Sequence, residues 1–215
     1  MSTRFRPHDL LRVAASCASE YLVLEEPAAM IAVAESLKHA PLVVVRRALT
    51  RNGMAPVGIR GEERSQRFAA WLDPRCIRNI ITPESLRMSP ATRDLPAFEA
   101  LQQLEKRWCS LDLPWGPGGS VGFELASGAA TVTKVSDLDI VLRARQGLSH
   151  QELRDIGDQC KGLPSAVDVQ IETPFGAFVL REYLDTKGRL LLRTACGPML
   201  VYDPWRLPEP WRLPA

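Results

Sequence analysis

No run in this 215-residue chain approaches the ~20 apolar residues that a membrane-crossing helix needs. The N-terminus, Met1-Ser2-Thr3-Arg4-Phe5-Arg6-Pro7-His8-Asp9, has no apolar signal region. Cysteine is too sparse and scattered to build a scaffold. The five are Cys17, Cys76, Cys109, Cys160 and Cys196, an odd number at wide spacing with no C-x-x-C. A disulfide framework and a zinc site are therefore not expected, and a reducing compartment is. Each cysteine reads as a small packed residue. Charge of one sign is also missing: the formal net charge is +2, so no strong global attraction to nucleic acid follows. No internal repeat is visible. These absences set the expectation of a cytoplasmic protein with no membrane or nucleic-acid partner.

What is present is enough apolar material, 46%, for a real core in one large domain or two small ones. The cations are mostly arginine, whose planar guanidinium suits phosphate recognition as well as surface pairing. The most informative stretch is Asp137-Leu138-Asp139, read with Gly119-Ser120 before it and Asp168 after it. In a β-strand, side chains alternate faces at a rise of roughly 3.3 Å per residue. Asp137 and Asp139 then share one face, about 6.6 Å apart along the backbone, and Leu138, Ile140 and Leu142 point into a core. Val167-Asp168-Val169-Gln170-Ile171 repeats the pattern, with Asp168 and Gln170 on one face. A lone D-x-D usually marks a polar strand face or turn. Three carboxylates gathered on one face repel unless a cation neutralises them, and such a set on two neighbouring strands can make a magnesium site for phosphoryl chemistry.

Coarse organisation follows from periodicity and turn signals. Residues 27–39 read as a helix with Met30, Val33, Ala34 and Leu37 on one face, and Leu42–Val45 as a buried strand. Asn52-Gly53 marks a turn, and Val57–Arg60 pairs with the earlier strand. Residues 66–72 fit either a short helix or a strand. A Pro-rich segment over 82–96 reads as the domain boundary. The clearest helix runs over 95–108, with Leu95, Phe98, Leu101, Leu104 and Trp108 at intervals of three and four. Residues 114–119 read as a loop and Ser120–Leu125 as a short strand. Ser149-His150-Gln151-Glu152 is a capping box opening a helix that ends near Gly162. Three further strand candidates are 178–184, 189–193 and 199–202, with a turn over 185–188. The Pro-rich tail from Pro204 is expected to pack over the body. His39 and His150 read as helix-end and capping-box residues.

This order of helix, Gly-Ser, D-x-D strand, capped helix and third acidic strand resembles the polymerase-β type of nucleotidyltransferase fold over about residues 95–171. The expected fold class is α+β (mixed α/β). A C-terminal nucleotidyltransferase domain over 86–215, with a mixed sheet and flanking helices, follows a small α/β domain over 1–85. The resemblance implies that Gly119 and Ser120 bind phosphate, that Asp137 and Asp139 ligate Mg²⁺, and that Asp168 completes a two-metal site and helps activate the attacking hydroxyl. Two departures bear on the phosphate loop. Trp115-Gly116-Pro117-Gly118 stands where such proteins have an apolar strand, and the Arg-Gly usual after Gly-Ser is replaced by Val121-Gly122-Phe123-Glu124. Lys134 is a candidate phosphate contact or a solvated loop lysine.

The chain is similar, more narrowly, to the phosphoribosyl-dephospho-CoA transferase family. The carrying stretches are 6–11, 41–47, 57–61, 64, 67–69, 119–128, 136–139, 167–170 and 191–194. The resemblance implies transfer of the phosphoribosyl-dephospho-CoA group from 2′-(5″-triphosphoribosyl)-3′-dephospho-CoA to a serine of the acyl-carrier subunit of malonate decarboxylase, with loss of diphosphate. Arg46, Arg47, Arg60, Arg64 and Arg67 then read as contacts to CoA phosphates or to an acidic carrier, or as solvated arginines. His8 beside Asp9 reads as a catalytic pair or as a structural hydrogen bond. Two other functions share the pattern: a nucleotidyltransferase that adenylylates its acceptor from ATP, and a non-catalytic nucleotide-binding module.

Overall fold

Among the described residues two six-stranded sheets carry the chain, one in each half. The computed structural model describes residues 5–14, 20–61, 66–87, 89–90 and 93–206. The first half contains β1 (Leu10–Val13), β2 (Leu22–Leu24), α1 (Met30–His39), β3 (Leu42–Val45), β4 (Ala55–Arg60), β5 (Arg67–Leu72) and β6 (Ile77–Ile81). Its sheet runs β2-β5-β4-β3-β1-β6, with antiparallel neighbours throughout. Helix α1 buries Val33 and Leu37 against it. Asn52 and Gly53 both take positive φ, 50° and 74°, as a tight hairpin turn requires. The ambiguous stretch before Leu72 is a strand, because Ala55–Arg60 pairs with it residue for residue down to Arg60 opposite Arg67.

The second half contains α2 (Pro83–Leu86), α3 (Pro96–Arg107), β7 (Trp115–Pro117), α4 (Gly119–Ser127), β8 (Leu138–Arg143), α5 (His150–Gln159), β9 (Val167–Glu172), β10 (Ala177–Val179), α6 (Leu180–Asp185), β11 (Leu190–Thr194) and β12 (Gly197–Val201). The sheet order is β12-β11-β10-β9-β8-β7; β8 and β9 are parallel, joined through α5, and the other neighbours are antiparallel. The sheet is thus mixed, as expected. Helix α3 contributes Phe98, Leu101 and Leu104 to the core, and Ser149 caps α5 through the full capping box. Trp205 packs into the same core and donates its indole N–H to Ala144 O at 2.9 Å, so the start of the Pro-rich tail does lie against the body.

Three local readings are corrected. Residues 115–117 are an edge strand rather than a loop. Pro117 is tolerated because an edge strand need not donate on its open side. Residues 120–125 are helical, not extended. Gly122 lets α4 close onto β7, since a Cβ there would meet Pro117 O at 2.5 Å. Gly128, at φ +77°, ends that helix in the left-handed conformation, with its N–H bonded to Glu124 O at 2.8 Å. The stretch 178–184 splits into β10 and α6, which packs against α5. The two halves meet on an apolar seam, where Leu86 and Phe123 of the second half join Leu10, Ala40 and Leu42 of the first.

Candidate active site

The alternation read from the sequence is realised at β8 and β9. Leu138, Ile140 and Leu142 are buried in the core, as are Val169 and Ile171, while Asp139 is exposed on the opposite face. The parallel register sets Asp139 opposite Asp168. Two carboxylates therefore stand side by side on one sheet face, one strand spacing (roughly 4.8 Å) apart. Asp137 lies just ahead of β8, exposed. Among the described residues, no group of three or more His, Cys, Asp or Glu side chains could together hold a metal ion. The in-register pair suits magnesium all the same, because that ion is commonly held by one or two carboxylates, with substrate phosphates filling the remaining positions.

The Gly-Ser stretch lies against this pair. Gly118 N–H donates to Asp139 O at 2.8 Å, and α4 starts at the next residue. Gly119 has φ +51°, and a Cβ there would come within 1.8 Å of Asp139 Oδ2. Only glycine fits both the backbone conformation and the carboxylate beside it. Helix N-termini leave backbone N–H groups unbonded and carry partial positive charge, a ready environment for phosphate. Asp139 and Gly119 are thus brought together, with Ser120 the next residue of α4. Ser120 is half-buried, and its carbonyl accepts from Thr131 Oγ1 at 2.9 Å. Lys134 is exposed on a turn whose Thr133 N–H is capped by Ser136 Oγ at 2.9 Å.

Sequence reasoning assigned no role to Glu124, which is 1% exposed. Its carboxylate receives a forked pair of bonds from Arg93, at 2.8 and 2.6 Å, and the N–H groups of Thr131 and Val132 at 2.7 and 2.8 Å. A helix that starts at Gly119 is thereby tied to the segment leading into Asp137. The only signal available was an acidic residue in an otherwise apolar helical stretch.

Farther along the same sheet face, β8 and β9 present Arg143, Gln170 and Glu172, and these engage the N-terminal half. Buried Arg143 bonds Asp9 Oδ1 at 3.0 Å, Glu84 Oε1 at 2.7 Å and Pro7 O at 3.2 Å. Burial pushes the Asp9 carboxyl above its ordinary range, against the Arg6 N–H and the Arg143 charge. Burial opposes ionisation of Glu84 too, but its own backbone N–H, Arg143 and Arg6 outweigh it and hold that carboxyl low. Burial would likewise raise Glu172; the hydrogen bond from His8 and the charge of Arg47 reverse this and hold it at about 2. His8, at φ +72°, contacts Glu172 at 3.3 Å and Gln170. His8 and Asp9 thus engage different partners and act as structural contacts between the halves. Arg47 is committed to Glu172, and Arg64 lies outside the described residues.

A cavity of about 480 Å³ opens between the halves. Gly118 and Gly119 are among its lining residues, with His8 and the guanidinium side chains of Arg46, Arg60 and Arg67. Its walls include Phe68 of β5 and Phe123 of α4, and none of its described lining residues is acidic.

Comparisons with known proteins match both halves of the chain. The family model for the phosphoribosyl-dephospho-CoA transferase MdcG N-terminal domain matches residues 6–83, and that for the C-terminal domain matches residues 85–204. The chain is 41% identical over 175 residues to a phosphoribosyl-dephospho-CoA transferase of Pseudomonas fluorescens (strain Pf0-1), covering 81% of this chain and 85% of that one. It is 40% identical over 205 residues to the enzyme of that name from Pseudomonas syringae pv. tomato, covering 94% of both chains. With that of Azotobacter vinelandii the identity is 37% over 206 residues, again 94% of both. No solved structure matches it significantly. Matched over both halves, the chain belongs to the phosphoribosyl-dephospho-CoA transferase family and is a transferase.

Proposed function

We propose that this transferase moves the phosphoribosyl-dephospho-CoA group from 2′-(5″-triphosphoribosyl)-3′-dephospho-CoA to a serine of the acyl-carrier subunit of malonate decarboxylase, in the cytoplasm. The observation that carries the reading is the in-register pair Asp139 and Asp168, with the first carboxylate lying against Gly119 at the start of α4. The triphosphate of the donor sits at Gly119 and Ser120, where the start of α4 meets its charge. The seryl Oγ attacks the α-phosphorus, a new P–O bond forms, and the bond to the β-phosphate breaks. Diphosphate leaves with the bonding electrons. Asp168, in register with Asp139, helps take the seryl proton. Asp139 and Asp168, with Asp137 at the edge of the site, are the residues that would hold Mg²⁺, which when bound neutralises the phosphate oxygens and assists an in-line displacement, in a two-cation arrangement. Lys134 is a candidate contact to the outer phosphates. No covalent enzyme intermediate is required.

Intact-mass analysis of the carrier, after incubation with this protein, Mg²⁺ and either the triphosphoribosyl donor or ATP, tests the reading. A donor-derived adduct on the carrier is expected. An adenylyl adduct from ATP would assign the same carboxylates to adenylylation, and a carrier unmodified in both incubations would overturn the proposal.

A further inference from the structure

We propose that the cavity between the halves is the seat of the dephospho-CoA part of the donor, with Arg60 and Arg67 of the N-terminal sheet binding its 5′-diphosphate. This deepens the reading above and rests on it for the identity of the donor. The arginines admit two ligands, a small phosphorylated molecule or an acidic protein. The geometry separates these. Arg60 and Arg67, together with Arg46, which also bonds Glu25 at 2.8 Å, line an interdomain cavity of about 480 Å³, within the range of roughly 300–1,000 Å³ that small-molecule sites occupy.

The composition of the cavity matches the chemistry of dephospho-CoA. Its arginines come from just after β3 (Arg46), from β4 (Arg60) and from β5 (Arg67), and its apolar wall includes Phe68 and Phe123. The Arg60 guanidinium lies 5.7 Å from the centre of the Phe123 ring. A diphosphate needs forked, permanently charged donors, while the adenine and the pantetheine arm need apolar and aromatic surface. Gly118 and Gly119, at the start of α4, belong to the cavity lining, so a molecule lying in the cavity reaches the triphosphate position. One donor would then span both halves. The triphosphate meets the C-terminal half, and the dephospho-CoA diphosphate meets the N-terminal half.

Dephospho-CoA alone and inorganic triphosphate alone separate the two phosphate groups. Calorimetric titration of the full chain, wild type and Arg60→Ala, Arg67→Ala and Arg67→Lys, is the test. Dephospho-CoA affinity should fall about tenfold or more in each Ala variant, in keeping with loss of a charge-assisted contact. Arg67→Lys should recover part of that loss, and triphosphate affinity should stay within about twofold throughout. Unchanged dephospho-CoA binding in all three variants, or no dephospho-CoA binding by the wild type, would overturn the assignment. An equal loss of triphosphate affinity would move the arginines to the triphosphate and overturn it too. Carrier modification by the wild type is scored in parallel. If the carrier is modified while the titrations fail, the reaction stands and the subsite falls; if the carrier stays unmodified while the titrations succeed, the reverse holds.

Discussion

Gly119 is where two demands on a single residue meet, a left-handed backbone and a carboxylate at the position of its missing side chain. Gly119→Ala should therefore displace Asp139 and lower transfer about a hundredfold, as a misplacement of about 1 Å in a catalytic group does. Gly128, also at positive φ but with open space around it, is the comparison. Gly128→Ala should cost about 1 kcal/mol of stability in a denaturant titration and leave turnover nearly unchanged. Asp139→Ala and Asp168→Asn should each reduce transfer by about a thousandfold or more with an unaltered melting curve. The carboxylates were legible because strand alternation has period two, so a pattern of acids between apolar residues fixes their face. Their neighbours were not. Glu172 meets Arg47 across 125 residues of chain and His8 meets Gln170 across 162, and no local pattern encodes such a meeting.

Helix α4 shows what element-level reading can and cannot reach. The run Val121-Gly122-Phe123-Glu124-Leu125 has the mixed apolar character of a short strand. The chain makes it a helix because Gly119 and Gly128 bound it with positive φ and Gly122 seats it on β7. That packing is tertiary and overrides local preference. Elements with strong period or caps, α3 and α5, were fixed by the sequence pattern to within a residue or two at their starts. Short edge strands such as β7 were not, since three residues carry too little pattern. Glu124 gives α4 its link to the segment before Asp137. Glu124→Gln keeps the shape but weakens the Arg93 pair and the two backbone bonds. It should cost about 2 kcal/mol in denaturant unfolding and lower kcat, whereas an exposed substitution such as Asp155→Asn should change neither appreciably.

The molecule as a whole is two sheets locked through charged groups on the same face that carries Asp139 and Asp168. Removing Arg143 strands Asp9 and weakens Glu84, so Arg143→Met should cost about 3 kcal/mol, the usual penalty for breaking a buried pair. The lock also has a pH sense. Glu172 titrates at about 2 against an ordinary 4.5, so its contribution is full above pH 4.5 and drains as pH falls toward 2. Glu84 acts in the same direction, while Asp9, raised by burial, works the other way and favours acid. The melting temperature should therefore fall between about pH 4.5 and 2, and Glu172→Gln should flatten that slope. A layout in two halves was readable in the order of the elements; the cavity between them was not, since its arginines and glycines come together only when the halves dock. The most direct test of the account is diphosphate release in a single turnover, with donor, carrier and Mg²⁺, by wild type and Asp139→Asn side by side. Release by the wild type equal to the carrier modified, and its loss in Asp139→Asn, is the predicted result; equal release by both proteins would contradict it.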